Sequence, residues 1–188
     1  MSDLYRRGKM RREGGFSMIE ILVSMVIFSM GVLSLGHVFI IGVNTIHKTK
    51  FQVKATSLAR EMMEEIKSKA YDEVMVGDLS FEERNRSEFT NYSSPGNPES
   101  GYPTDTDEDP NDRTTFDDID DFANYSEESI EGAEGFNRSV KVVYAKEDNL
   151  NGSANSTQTY YKRIIVKVKS KTFGQVVKLS SVIYYRGV

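Results

Sequence analysis

Glu20 stands at the head of a 23-residue run, Ile21 to Val43, that contains no Asp, Glu, Lys or Arg. A carboxylate at the centre of a membrane helix costs about 2.5–3.5 kcal/mol on insertion scales, and less near the end, where the side chain reaches the interface. No basic side chain within the run answers it. Cutting the chain after Gly15 would create a cation: Phe16 would carry a free α-amino group, four residues before Glu20. Within one helix such a pair sits about one turn apart. Between parallel, staggered helices the carboxylate of one chain could meet the amine of the next.

A second set of residues with chemical potential is acidic. Nine Asp and Glu residues fall between Asp105 and Asp121, and Asp105, Asp107 and Asp109 alternate as in a calcium loop. The EF-hand pattern then requires a glycine and a closing glutamate. Pro110 and Phe116 occupy those places, so the expectation is a solvated acidic loop, with these three acids as weak metal candidates. Other chemistry is sparse. The only histidines are His37 and His47, one inside the apolar run and one at its edge. There is no cysteine, which excludes disulfides, thiolate metal sites and thiol nucleophiles. Asp117 and Asp118 could serve as an acid–base pair, but no apolar pocket is evident around them. No glycine-rich phosphate loop follows a strand. Neither an enzyme nor a cofactor is expected.

The elements that must position these residues follow from charge and periodicity. The 188 residues have a formal net charge of −4, unevenly distributed. Residues 1–15 hold five bases (Arg6, Arg7, Lys9, Arg11, Arg12) against Asp3 and Glu13, leaving 19 bases and 26 acids beyond. A basic head on an acidic body argues against a nucleic-acid partner, which needs a basic face. As a helix at about 1.5 Å per residue the apolar run is long enough for a hydrocarbon core of about 30 Å. It exceeds the 7–15 residue core of a secretory signal. The basic leader predicts a cytoplasmic N-terminus, with everything after His47 outside. Gly31, Gly36 and Gly42 suit close helix packing and local loosening around Gly31–Gly36.

Beyond the run, Phe51, Ala55, Leu58, Met62, Ile66 and Ala70 recur at helical spacing. Three strands follow late in the chain: Ser139–Lys146, Tyr160–Ser170 and Gln175–Tyr185, the last two joined by a turn at Lys171–Gly174. Asn149–Thr159 reads as a loop. Residues 77–135 hold all four prolines and many Gly, Asn, Ser and Asp, a loop or partly disordered composition. The expected organisation is therefore a leader at 1–15, a transmembrane half-helix at 16–43 and an amphipathic half at 44–76. An acidic loop region at 77–135 and an antiparallel sheet at 136–188 complete an α+β layer.

Gly15-Phe16-Ser17-Met18-Ile19-Glu20, after a short basic leader and before an apolar helix, resembles the class III signal of type IV prepilins and of type II secretion pseudopilins. Ser57 to Lys67 is similar to the second helical half of minor pilins of the PilV type and of the minor pseudopilin I. Phe116 to Phe122 more loosely resembles an acidic segment of MSHA-type minor pilins. The resemblance implies a type IV pilin-like fold, cleavage between Gly15 and Phe16 by prepilin peptidase, N-methylation of Phe16, and a role for Glu20 in docking subunits into a filament. It implies as partners other pilin or pseudopilin subunits, the peptidase, an inner-membrane assembly platform and the lipid bilayer. It places the chain in the bacterial inner membrane, with its C-terminal domain periplasmic, and then in a pilus or pseudopilus. Two departures from major pilins favour a minor subunit: His37 stands where they usually have proline, and no cysteine closes a C-terminal loop. The competing expectation is an uncleaved single-pass protein with an acidic ligand-binding or sensory domain.

Overall fold

The computed structural model describes residue 15 and residues 17–77, 84–103 and 105–185. The chain divides into two compact units, Met1–Lys48 and Thr49–Val188, and the 50-residue helix α1 (Met18–Lys67) contributes to both. α1 begins as backbone amides of Glu20 and Ile21 reach Ser17 O, at 2.9 and 3.2 Å. Its polar side chains turn inward on the backbone. Ser24, Ser29, Ser34 and Thr45 each donate to the carbonyl four residues earlier, at 2.7–2.8 Å. A helix in hydrocarbon must satisfy its polar groups within itself, and this arrangement does so. The helix runs unbroken through Gly31 and Gly36.

In the second unit the apolar stripe is buried as its spacing requires. Phe51, Ala55, Leu58, Met62 and Ile66 face the core, joined by Ala59 and Met63. The helix stops at Lys67, short of residue 76. Ser68 caps it, its hydroxyl donating to Glu65 O at 2.6 Å. The chain then leaves the helical path: Ala70 forms a parallel bridge with Asp118, and Asp72 is drawn into the core.

The sheet has five strands: β1 (Ser126–Glu127), β2 (Phe136–Lys146), β3 (Asn149–Ala154), β4 (Tyr161–Ser170) and β5 (Val176–Tyr184). All its pairings are antiparallel, in the order β1-β2-β4-β5, with β3 folded back on β2. Val140 opposes Val166, and Val142 opposes Ile164, so both strands turn their β-branched side chains to the helix. Phe51 of α1 stacks on Phe136, with centroids 5.3 Å apart. The turn between β4 and β5 is closed by Gly174, at φ +64°, whose amide reaches Ser170 O at 3.0 Å. A long N-terminal helix thus packs its second half on a C-terminal antiparallel sheet, the expected α+β arrangement.

Two expectations need correction. The Asn149–Thr159 loop begins with a strand, because β3 pairs with β2 and Arg163 grips its carbonyls at Leu150 (3.1 Å) and Gly152 (2.6 Å). The segment around 105–121 is not simply solvated. It has little regular structure, yet Phe116, Ile119 and Phe122 are core residues, and Asp118 and Asp120 are buried with them. Aromatic anchors set among Asp, Asn and Pro leave no period to read, so composition alone misplaces them.

Candidate functional site

Glu20 lies in the first turn of α1, where the partial positive charge of the helix terminus favours a carboxylate. It is exposed, and among the described residues it has no ion-pair partner. Gly15 is also exposed, and a side chain there would meet nothing within 4 Å. Phe16, the expected site of cleavage and methylation, lies outside the described residues, as does the leader before Gly15. From Met18 to Val43 the apolar side chains stand free: Phe28 and Phe39 are each 72 % exposed. This is the one described helix that is long and apolar enough to cross a membrane. Its hydroxyls are already used and its flank is hydrocarbon, so it offers its surroundings apolar area and one carboxylate.

The second unit holds a buried charge cluster that was not read from the sequence. Lys162 shares the core-facing side of β4 with Ile164, Val166 and Val168 and has no exposed surface. Its Nζ donates to Asp72 Oδ2 at 2.7 Å, Asp120 Oδ2 at 2.8 Å and the Tyr71 carbonyl at 2.7 Å. It also lies 4.4 Å from the Tyr71 ring centroid and 5.3 Å from that of Tyr144. Asp72 accepts further bonds from the Thr90 amide and hydroxyl and from the Tyr144 hydroxyl. Asp118 completes the group, with carboxylate oxygens of Asp72, Asp118 and Asp120 all within 4.8 Å of one another. Burial pushes Asp118 up to about 7 despite the pull of Lys162, and raises Asp120 well above the usual carboxylate range. Burial alone would lower the Lys162 ammonium; attraction to Asp120, Asp72 and Asp118 outweighs it and raises the pKa. The cluster joins five stretches distant in sequence. Its chemistry is that of a clamp. Strand alternation was the signal available, since Lys162 has the parity of the core residues of β4.

The three acids expected to alternate toward a metal do not converge among the described residues. Asp107 and Asp109 are exposed, and Asp109 Oδ1 accepts the Asn111 amide at 2.9 Å in a local turn. Asp105 instead gathers with Glu108 and Asp121. Nearby, Asp121 and Asp118 cap one turn reciprocally: Asp121 Oδ2 accepts the amides of Asp117 and Asp118, and Asp118 Oδ1 those of Asp120 and Asp121.

Neither a curated protein nor a solved structure matches the chain. The prokaryotic N-terminal methylation motif matches residues 10–36, the stretch that holds Gly15, Phe16, Glu20 and the start of the exposed apolar helix, so the chain carries a type IV prepilin-like signal.

Proposed function

We propose that this chain is a minor type IV pilin of the PilV or MSHA type, a structural subunit cleaved between Gly15 and Phe16 and N-methylated on Phe16. The observation that carries the reading is the first half of the helix that bears the methylation motif: exposed from Met18 to Val43, its hydroxyls bonded to its own backbone, and holding Glu20 with no ion-pair partner among the described residues. Cleavage supplies the missing cation. In a dry bundle of such helices, Glu20 of one subunit neutralises the Phe16 amine of a neighbour. The pair sets register, because an unpaired buried charge costs several kcal/mol. The leader holds the precursor with its N-terminus in the cytoplasm until the peptidase acts, and assembly then draws the helix out of the bilayer.

Mass analysis of the N-terminus in the native host tests the processing. A start at methylated Phe16 is expected, and an intact Met1 overturns the proposal in favour of an uncleaved anchor. Gly15→Ala should block processing. Glu20→Ala should leave insertion intact and reduce incorporation into filaments, so normal incorporation would contradict its role. Recovery in sheared surface filaments supports the pilus; retention in the periplasm with secretion components points to a minor pseudopilus.

A further inference from the structure

We propose that Asp105, Glu108 and Asp121 form a binding site for a divalent cation of the calcium class. The inference is independent of how the N-terminus is processed. One oxygen from each carboxylate lies within 4.8 Å of the other two. Opposite oxygens around Ca2+, bound at about 2.3–2.6 Å, are roughly 4.6–5.2 Å apart, so one ion fits among them. The donor set is all oxygen, which suits a hard cation and not zinc or copper.

Two further observations point to a ligand. Both Glu108 carboxylate oxygens are buried, and neither accepts a hydrogen bond from a donor among the described residues. Glu108, Asp120 and Asp121 line one cavity of about 240 Å³. Asp120 is 4 % exposed, and its Oδ1 is likewise buried and unpartnered among the described residues, while its Oδ2 is taken by Lys162. Buried carboxylate oxygens left without donors are costly, and a cation removes that cost for several at once. The arrangement is also held in advance. Asp121 Oδ2 is fixed by the amides of Asp117 at 3.0 Å and Asp118 at 2.8 Å, neutral donors that leave the charge unanswered.

The surrounding groups are mostly acids. Glu73, Asp105 and Asp117 are raised above their ordinary values by burial and then by neighbouring carboxylates, and Glu108 is pushed up to about 8 by burial and by Asp121. Of the bases, Lys69 is engaged by the Phe116 carbonyl and Lys162 by Asp72 and Asp120. A bound cation would tie the turn at 105–108 to the capped turn at 117–121.

The test uses the full chain in detergent micelles, titrated with CaCl2 by calorimetry and with Tb3+ by emission sensitised through Tyr125, which lines the same cavity. Saturable one-to-one binding is expected, with the unfolding temperature rising as calcium rises. Glu108→Gln and Asp105→Asn should each weaken binding more than about tenfold, since partners in an outer shell alone are worth that much. Both variants keep side-chain size, and an unchanged circular dichroism spectrum confirms that they fold. Asp107→Asn and Asp109→Asn should bind as the parent does. The proposal fails if the parent shows neither heat nor a shift in unfolding temperature at about 10 mM calcium, beyond the weakest extracellular sites. It also fails if Glu108→Gln binds normally, or if the loss appears only at Asp107 and Asp109.

Discussion

Replacing Lys162 with methionine removes one ammonium from a place where no water can replace it. The aliphatic stem is kept, so little packing is lost. What remains is Asp72 Oδ2, Asp120 Oδ2 and the Tyr71 carbonyl, three acceptors that sat 2.7, 2.8 and 2.7 Å from Nζ. Asp72 retains the Thr90 and Tyr144 donors, but among the described residues Asp120 has no other side-chain donor and its Oδ1 is already unpartnered. Breaking a buried ion pair from one side costs about 3–5 kcal/mol. With urea m values of about 1–3 kcal/mol/M, the unfolding midpoint should fall by at least about 1 M. Nine of the ten tyrosines lie beyond residue 70, so their near-ultraviolet signal reports the Thr49–Val188 unit in the full chain. Lys162→Met combined with Asp72→Asn and Asp120→Asn should recover part of the loss, because the uncompensated charges go with the lysine. A midpoint for Lys162→Met within about 0.3 M of the parent would refute the clamp.

The same core makes an alkaline prediction. Burial, then repulsion from Asp120 and its neighbours, raises Tyr71, Tyr102 and Tyr144 above the ordinary tyrosine value, and the surrounding carboxylates raise Lys162 above that of lysine. A group whose folded pKa is raised contributes stability that is complete below its unfolded pKa and is lost as pH rises toward the folded one. Stability should therefore decline from about pH 10 upward, and absorbance near 295 nm should show these tyrosines ionising only as the unit unfolds; their free titration in the folded state would contradict their burial. Arg138 is 2 % exposed and joins β2 to Glu127 at 2.6 Å and to the Leu58 carbonyl of α1 at 3.2 Å. Arg138→Met should cost about 2–3 kcal/mol by urea unfolding, less than Lys162→Met, because Glu127 and Glu61 are partly exposed and can rehydrate.

The helix and the final hairpin were legible because each repeats one instruction. Phe51 to Ile66 keeps helical spacing, and Ile164, Val166 and Val168 keep strand alternation. The clamp was not legible, although Lys162 obeys that same alternation. Its partners lie 90 and 42 residues away, so only the assembled fold shows which acids meet it. β3 was hidden by its composition, Asn-Leu-Asn-Gly-Ser-Ala, which becomes a strand through its neighbours β2 and Arg163. At the N-terminus the opposite holds. Gly15, Phe16 and Glu20 are a local signature that needs no folding to be read. In the acidic segment the spacing singled out Asp105, Asp107 and Asp109, of which only Asp105 gathers with other carboxylates in the fold.

The clamp also constrains when the Thr49–Val188 unit can form. Asp72 and Asp120 both precede the first strand of the sheet, and the lysine that neutralises them arrives only with β4, after β1, β2 and β3. A nascent chain that has emerged as far as β3 carries those acids with no ammonium to receive them, so its middle cannot settle early. Contacts of such long sequence separation also slow folding. Closure of this core thus waits on the synthesis of β4, and the pairing that closes it requires no cysteine.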